Sequence, residues 1–556
     1  MAVESIKRFA TDMERRLGLN SVITISLSAM LGSGLFVLPA LASDVLLSGG
    51  GNGAGLWIAY VLSAAVVLPG AISKAELATA MPTSGGTYIY IERTFGPIFG
   101  TIAGLGLWAS FLLKSAFALI GFSAYIYAVQ GTLGITFSET ASNIMAIILL
   151  AFIVVINILG VGKIKKIQKP VIISSVLFLG ILCVLAALSD DIQWTRPIES
   201  AAFAGTEGIF SKEGITGIGT AAAFVFVSYA GVTKIAAVAE EIKEPGKNLP
   251  KGMIYTLTIA TILYALMAYF LFALMEPAEL GVGTSYPNKA PIHAFAVKLG
   301  GESLGLIAAF FAVITMSSMA LAGVMAASRF PFAMGRDKLM PPAFENVNPR
   351  FETPQFAIIV TGIIMSLAIL FLPVADVAKL ASGFKIMIFI AVNMCVIVLR
   401  RVQKEHTWYQ PEYISKMEPG VQIWGIIASI LLLVLMGTKA FIGAGVAIIA
   451  GIILYATYGR HHSTKNETPW ISFSNKVRGN KTELMRAVTA FHAADLENTN
   501  HLNLKEFNAA MRVIGWLGDD HEGIRDLFHD ADSNQDGVID IDEFLYLLEN
   551  LPKEEE

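Results

Sequence analysis

The chain has 556 residues, of which 54% are hydrophobic and 15% charged, and its mean hydropathy is +0.63. This composition, with the apolar residues in long blocks, excludes an ordinary soluble domain and indicates a polytopic membrane protein. The two cysteines, Cys183 and Cys395, lie inside apolar blocks, so no disulfide framework is predicted.

Charge divides the chain into two parts. Residues 481–556 contain 18 Asp and Glu against 6 Lys and Arg, a net charge of −12, whereas the whole chain carries −4 and the remainder therefore +8. We predict a basic cytoplasmic leader at 1–19, a membrane domain at 20–458, a linker at 459–480 and a soluble acidic domain at 481–556.

Twelve apolar blocks predict an all-α membrane domain with twelve transmembrane helices, because each block approaches the length needed to cross a bilayer. The blocks lie near residues 21–42, 56–76, 98–128, 142–160, 171–188, 214–239, 252–275, 302–328, 354–373, 378–399, 421–437 and 440–458.

The Lys and Arg residues of the loops predict the orientation. With a cytoplasmic N-terminus, the inner loops carry 17 basic residues and the outer connections 6. Positive residues remain preferentially on the cytoplasmic side, so we predict a multi-pass protein of the cell membrane, in contact with lipid, with both termini cytoplasmic.

The first span is interrupted by Gly32, Ser33 and Gly34, and Pro39 follows shortly after. A helix that opens inside a membrane exposes amide and carbonyl groups that lipid cannot satisfy, so such a break is tolerated where it lines a cavity. The alternative is that the two glycines only allow close helix packing.

The sixth span carries a similar interruption at a similar depth, formed by Ser228, Tyr229, Ala230 and Gly231. Corresponding breaks five spans apart are typical of transporters built from inverted repeats, with the substrate site between the repeats. We predict that these four residues and the three of span 1 bind substrate.

Several motifs resemble the amino acid–polyamine–organocation (APC) family of transporters. Residues 32–39 (GSGLFVLP) are similar to its first-span signature, and residues 81–88 (MPTSGGTY) with 95–97 (FGP) to its connection between spans 2 and 3. Residues 239–250 (AEEIKEPGKNLP) and 328–341 are similar to its segments after spans 6 and 8.

The resemblance implies a leucine-transporter-like fold of five plus five inverted spans with two further helices, and alternating access around spans 1 and 6. Its substrate would be an amino acid or a related amine. The residues agree with this: freed amides at 32–34 suit a carboxylate, and freed carbonyls at 228–231 suit an ammonium group. The candidates for recognising the substrate side chain are Met30, Tyr229 and Trp108.

The coupling ion, Na⁺ or H⁺, stays open at this point. Lys114 lies in the middle of the apolar third span, where it could carry a proton or serve only as a structural lysine. Family members with a sodium site use hydroxyls of span 8, and Thr315, Ser317 and Ser318 are available there. The span 5 lysine of proton-coupled members is absent from 171–188.

The acidic tail contains a twelve-residue EF-hand calcium loop at 532–543, with Gly537 at the turn. The residues at its Ca²⁺ ligand positions are Asp532, Asn534, Asp536, Val538, Asp540 and Glu543. Apolar residues before and after the loop predict two amphipathic helices. We predict calcium binding here, and calcium as a regulator of transport; a calcium-stabilised appendage is the alternative.

A second, degenerate loop lies 37 residues upstream. Its ligand-type residues are Asp495, Glu497, Thr499, Asn503 and Glu506. Asn500 replaces the turn glycine and the loop has fewer carboxylates, so we predict weak or no calcium binding, and a pairing of Leu502 with Ile539 between the loops.

Other classes of function fit less well. A sensor that binds an amino acid and signals through the tail remains the main alternative, and a calcium-gated channel is disfavoured because no ring of acidic residues is visible. No nucleotide-binding, metal-hydrolase or nucleophile motif indicates an enzyme, and nothing indicates a nucleic-acid partner.

Overall fold

The computed structural model describes residues 17–550 apart from 83–85, 131, 133, 136–137, 161–163, 204–209, 285–286, 405, 463–467, 475, 477–489, 493, 496–498, 500 and 515–520. Every regular element in this part of the chain is helical, which confirms the predicted fold class. The chain divides into two compact units, Met1–Pro469 and Trp470–Glu556.

The first span is divided into three helices, and the spans that follow are mostly single helices. The bounds are α1 Leu19–Met30, α2 Ser33–Phe36, α3 Leu38–Leu46, α4 Leu56–Ala80, α5 Thr87–Phe95, α6 Pro97–Ala128, α7 Glu139–Leu159, α8 Ile164–Ala187 and α9 Lys212–Tyr229. A 3₁₀ segment, Val232–Glu241, completes span 6.

The second half of the membrane unit begins after this segment. Its helices are α10 Pro245–Leu274, α11 Pro291–Arg336, α12 Gln355–Phe371, α13 Val374–Arg401, α14 Gly420–Leu435 and α15 Thr438–Leu454, which continues through a π-helical stretch to His462. Non-helical backbone at Gly300 and Gly301 divides α11 into a short helix and the long helix of span 8.

Among the described residues, nine helices are long and apolar enough to cross a membrane. Three shorter apolar helices, α1, α12 and α14, lie where the sequence predicts spans 1, 9 and 11. The helices fit a multi-pass membrane fold, and the count of twelve spans stays a prediction.

The centre of the membrane unit is formed by α6, which packs against α11, α13, α12 and α15. On another side, α1 packs against α10 and the 3₁₀ segment. Leu17, just before α1, pairs with Ile242 in a parallel bridge, its N–H donating to the Glu241 carbonyl at 2.8 Å. The two broken spans are thereby held side by side.

The second unit contains α16 Leu504–Ile514, α17 His521–Ala531 and α18 Ile541–Asn550. Leu502 and Ile539 form an antiparallel bridge with N–H···O distances of 2.8 and 2.9 Å, so the predicted pairing between the two loops is confirmed. Phe491, Phe507 and Phe544 pack in the small core beneath this bridge.

Candidate functional site

The first span opens where the sequence predicts a break. Helix α1 ends at Met30, Leu31 is extended, and Gly32 has φ +155°, a conformation that favours glycine. A side chain on Gly32 would also collide with Met319 of α11. The amides of Gly32, Ser33 and Gly34 precede the first intrahelical bond of α2, from Leu35 N–H to the Gly32 carbonyl at 3.0 Å.

The sixth span opens at its predicted position too. Helix α9 ends at Tyr229, and the backbone passes through Ala230 and Gly231 before the 3₁₀ segment begins at Val232. Because a 3₁₀ segment has a different hydrogen-bond pattern, the α-helical ladder of span 6 is interrupted at this point.

The two breaks cross at close range. A Cβ atom on Gly34 would lie 2.7 Å from the Ser228 Cβ, and one on Gly231 would collide with the carbonyl of Ala29. The Ser228 hydroxyl donates to the Gly34 carbonyl at 3.4 Å. Glycine is therefore required here for the close approach of two backbones, as the packing interpretation predicts, and the substrate-site interpretation stays a prediction.

Lys114 connects the two broken spans. Its side chain is 5% exposed, and its Nζ donates to the Ala29 carbonyl of α1 at 2.9 Å and to the Ser228 carbonyl of α9 at 3.5 Å. These are backbone oxygens at the two breaks, one of them in the group predicted to receive a substrate ammonium. An ammonium group is thus already positioned at the crossing.

Four tyrosines surround the breaks, and the sequence analysis identified only Tyr229 among them. Tyr60 donates to the Gly34 carbonyl and Tyr264 to the Met30 carbonyl, each at 2.8 Å, and Tyr125 donates to the Phe36 carbonyl at 2.7 Å. The Tyr229 hydroxyl donates to the Tyr60 carbonyl at 3.0 Å. Tyrosines inside apolar spans were the available signal, because a buried hydroxyl needs a partner.

Two of the three hydroxyls predicted in span 8 are hydrogen-bonded within the protein. Thr315 is buried and shares a 2.7 Å hydrogen bond with Ser175 of α8, while Ser317 donates to the Val313 carbonyl of its own helix at 2.7 Å. The Ser318 carbonyl accepts from Gln168 at 3.4 Å. Ser175 is a further polar group that the sequence analysis did not identify.

Two further polar side chains contact other parts of the bundle. Lys234 donates to the Ala322 carbonyl at 3.2 Å, and Trp108 donates to the Thr361 hydroxyl of α12 at 3.0 Å. The Trp108 indole N–H is therefore used in joining α6 to α12.

A buried ion pair joins α4 to α13. Glu76 is fully buried and accepts two hydrogen bonds of 2.7 Å from Arg400, one of 2.8 Å from Tyr409 and one of 2.8 Å from the Ser415 N–H. Burial, with the Glu76 carboxylate beside it, raises the pKa of Tyr409, so this phenol remains a donor. Such a fully satisfied pair fixes the relative position of the two helices.

The second calcium loop of the tail adopts the turn that an EF-hand requires. Gly537 has φ +84°, and the Asp532 carboxylate accepts the N–H groups of Asp536 at 3.1 Å and Gly537 at 3.0 Å. Glu543 accepts the Asp540 N–H at 3.1 Å and the Ser533 hydroxyl at 2.8 Å. The oxygen-only donor set fits calcium, a hard cation.

Within the described residues, no three His, Cys, Asp or Glu side chains already form a metal-binding cluster. In the first loop, Asp495 accepts the Thr499 N–H at 3.0 Å and Glu506 accepts the Asn503 N–H at 3.1 Å, which parallels the second loop. Glu497, and Asn500 at the glycine position, lie outside the described residues.

Comparison with known proteins identifies both units. A family profile described as "Amino acid permease" matches residues 17–470, and one described as "EF-hand domain pair" matches residues 484–549. This chain belongs to the amino acid permease family. The APC resemblance of the sequence motifs is confirmed, and the permease is a transporter rather than an enzyme.

Curated relatives align along nearly their whole length. The branched-chain amino acid permease BcaP of Bacillus subtilis is 27% identical over 472 residues, which cover 82% of this chain and 95% of that protein. BcaP of Lactococcus lactis is 27% identical, covering 80% and 94%. A methylthioribose transporter of B. subtilis is 25% identical, covering 82% and 95%.

Proposed function

We propose that this permease is a secondary active transporter of a neutral amino acid, which works by alternating access around spans 1 and 6. The observation that carries the proposal is the crossing of the two broken spans, with Gly34 against Ser228 and Gly231 against Ala29. The substrate carboxylate binds the amides of Gly32, Ser33 and Gly34. Its ammonium binds carbonyls of the Ser228–Gly231 break.

Branched-chain amino acids are the first substrates to test. The two BcaP relatives carry that name, and three tyrosine rings, of Tyr60, Tyr229 and Tyr264, lie beside the crossing. The Tyr264 ring centroid lies 5.4 Å from those of Tyr60 and Tyr229, in a tilted and an edge-to-face arrangement, and all three hydroxyls donate to backbone carbonyls. Such rings suit an aliphatic side chain.

We assign the coupling ion as H⁺, carried by Lys114. Its ammonium binds the Ser228 carbonyl that the substrate ammonium would use, so protonated Lys114 and substrate compete for one acceptor. Release of the lysine proton removes that competition. Sodium at Thr315, Ser317 and Ser318 is the second candidate, and it would require Thr315 to exchange its bond to Ser175.

We propose that the tail binds Ca²⁺ at Asp532, Asn534, Asp536, Val538, Asp540 and Glu543 and that calcium changes the transport rate. The turn at Gly537 and the paired loops support binding at 532–543. With both termini cytoplasmic in the cell membrane, the tail would respond to cytosolic calcium.

The test is uptake of radiolabelled amino acids into proteoliposomes under an imposed pH gradient or an imposed sodium gradient, with tail-side calcium clamped low or high. Accumulation of leucine, isoleucine or valine driven by the pH gradient supports the transport and coupling proposals. Accumulation driven only by the sodium gradient would favour a sodium site at the span 8 hydroxyls over proton coupling through Lys114. Saturable binding without accumulation would show a sensor instead.

The calcium proposal needs the same assay with a matched pair of variants, Glu543→Gln in the second loop and Glu506→Gln in the first. A calcium response that disappears in the first variant and persists in the second supports regulation through 532–543. Uptake that is indifferent to calcium in the unmodified protein makes the tail an appendage.

A further inference from the structure

The short helix α5, between spans 2 and 3, meets the end of span 8 through acidic and phenolic side chains. Tyr88 of α5 is fully buried, and its hydroxyl donates at 2.9 Å to the carboxylate of Asp337, the residue after α11. Glu92 lies one turn further along α5, so it shares the helix face of Tyr88. A Cβ added to Gly100 of α6 would lie 2.6 Å from the Glu92 Cβ, so Glu92 packs closely against α6. The contact between α5 and span 8 therefore contains two carboxylates.

Neither carboxylate forms an ion pair within the described part of the chain. Arg93 and Arg336 act on them only at longer range, and the Arg336 guanidinium lies over the Phe332 ring, 5.8 Å from its centroid. The first three turns of α6 carry no titratable group. Helix α13 packs against the opposite face of α5, where Cys395 donates to the Tyr90 carbonyl. The two negative charges are therefore not neutralised by a bonded partner.

The environment of Glu92 brings its ionisation close to neutral pH. Burial, together with repulsion from Asp337, raises the pKa of Glu92 from its ordinary value of 4.5 to about 7, while Arg93 offsets part of the rise. Burial raises the pKa of Asp337 as well, although the Tyr88 hydroxyl and Arg336 stabilise its charged form. A change of one proton at this contact therefore accompanies a small change of pH.

We propose that the contact between α5 and span 8 is a switch that senses the pH on the predicted cytosolic side. With a proton on Glu92, its carboxyl donates to the Asp337 carboxylate, beside the Tyr88 hydroxyl, and ties α5 to span 8. Release of this proton to the cytosol leaves two neighbouring negative charges, which repel each other and loosen the contact. Because α5 links span 2 to span 3, the loosened contact lets these spans move more freely against span 8. The effect on transport rests on the proposed function, whereas the switch itself does not.

The first test follows thermal unfolding of the purified full-length protein in detergent from about pH 5 to about pH 8. Because the pKa of Glu92 is raised in the folded protein, its contribution to the free energy of unfolding is fully present below pH 4.5 and is lost as the pH rises through about 7. Glu92 should therefore lower the unfolding midpoint as the pH rises to about 7, and have a constant effect above it.

Variants assign this pH dependence to the contact. Glu92→Gln is neutral at every pH and can still donate to Asp337, so it should keep the acid-side midpoint and lose the fall that Glu92 causes. Asp337→Asn removes the neighbouring charge, so the fall should end at a lower pH. Glu345→Gln is the matched control, because it removes a carboxylate after the 3₁₀ segment Pro342–Phe344, near the same end of span 8. It should keep the pH profile of the unmodified protein.

The second test is exchange of labelled for unlabelled leucine in proteoliposomes with equal pH on both sides of the membrane. The exchange rate of the unmodified protein and of Glu345→Gln should rise severalfold from about pH 6 to about pH 8. The rate of Glu92→Gln should stay near the acid value. A pH dependence that arises at Lys114 would persist in Glu92→Gln, so the comparison separates the two sites.

The proposal is overturned if Glu92→Gln and the unmodified protein show the same pH dependence of the unfolding midpoint, or if their exchange rates follow the same pH profile. The unfolding series needs no substrate, so it decides on the switch even if leucine is not transported. If Glu92→Gln does not fold, Asp337→Asn takes its place, and an unchanged pH profile of unfolding in that variant overturns the proposal as well.

Discussion

The crossing of the broken spans and the calcium loop of the tail both use backbone groups and side-chain oxygens, but they are assembled differently. The crossing collects residues from Ala29 to Tyr264 on six separate helices. The loop takes its ligands from twelve consecutive residues, 532–543. The crossing therefore depends on how closely helices approach, whereas the loop depends on the chemistry of its own side chains.

The largest effect should follow from filling the contact between the two broken spans. Gly231→Ala places a methyl group against the Ala29 carbonyl. This carbonyl belongs to the backbone, so it cannot rotate away from the methyl group as a side chain could. Overpacking of this kind costs about 3 kcal/mol, so we expect uptake to fall by about 100-fold. The measurement is the initial rate of leucine uptake in proteoliposomes.

Gly180→Ala is the matched control, because a Cβ there meets nothing within 4 Å. It should transport normally. Uptake by Gly231→Ala within twofold of the unmodified protein would contradict the close approach on which the proposed site depends. Calcium binding by the tail should be unchanged in both variants.

The next largest effect should be the loss of calcium affinity when the loop at 532–543 is changed. Glu543→Gln removes one of the four carboxylates at the ligand positions of the loop, the bidentate ligand at its last position, so calcium affinity should fall by about 100-fold. Isothermal titration calorimetry on the full-length protein measures this directly. Glu506→Gln, in the degenerate first loop, should change the high-affinity binding by less than about threefold.

Equal losses in the two variants would show that the first loop is a calcium site of similar strength. Removal of calcium by a chelator should reproduce the transport phenotype of Glu543→Gln in the unmodified protein. A chelator effect that persists in Glu543→Gln would place the responsible calcium site elsewhere.

The difference between a loop of consecutive residues and a crossing of distant helices also explains what could be predicted from the sequence. The calcium loop, its turn at Gly537 and the Leu502–Ile539 pairing are encoded by local spacing, and the structure shows the turn and the pairing. The breaks at Gly32 and Gly231 were also predictable, because glycines within an apolar run are a local signal.

Partners that lie far apart in the sequence could not be predicted. The Lys114 side chain was visible as an intramembrane charge, but its carbonyl partners lie 85 and 114 residues away. Tyr60 and Tyr264 belong to apolar spans whose facing sides cannot be assigned without the helix packing. The Ser175–Thr315 bond joins spans 5 and 8 across 140 residues, so it depends on the tertiary fold.

Lys114→Met tests whether the crossing needs its own ammonium group. The variant leaves the Ala29 and Ser228 carbonyls without this donor, at a cost of about 1.5–3 kcal/mol for bonds to a charged group. We expect uptake driven by a pH gradient to fall by about tenfold to 100-fold. Exchange of labelled for unlabelled leucine without a gradient should be affected less.

Lys234→Met, which removes a different, partly buried lysine that donates to the Ala322 carbonyl, should retain the pH-driven uptake. If Lys114→Met lost exchange and pH-driven uptake equally, the lysine would be a structural link between α1 and α9 rather than a proton carrier. Restoration of both activities by Lys114→Arg would support that structural role, because arginine keeps its proton.

The smallest effect should come from removing one hydroxyl at the crossing. Tyr264→Phe keeps the ring contacts with Tyr60 and Tyr229 but leaves the Met30 carbonyl without its 2.8 Å hydrogen bond. A single neutral hydrogen bond contributes about 1 kcal/mol, so the apparent affinity for leucine should weaken about fivefold. Tyr255→Phe, on the exposed side of α10, should leave the affinity for leucine unchanged.

Met30 is the last helical residue before the break. A change in affinity for Tyr264→Phe alone would therefore show that the tyrosine hydroxyls bonded to the carbonyls at the break set the shape of the substrate site. Equal affinities in the two variants would show instead that the ring packing alone holds the broken backbone in place.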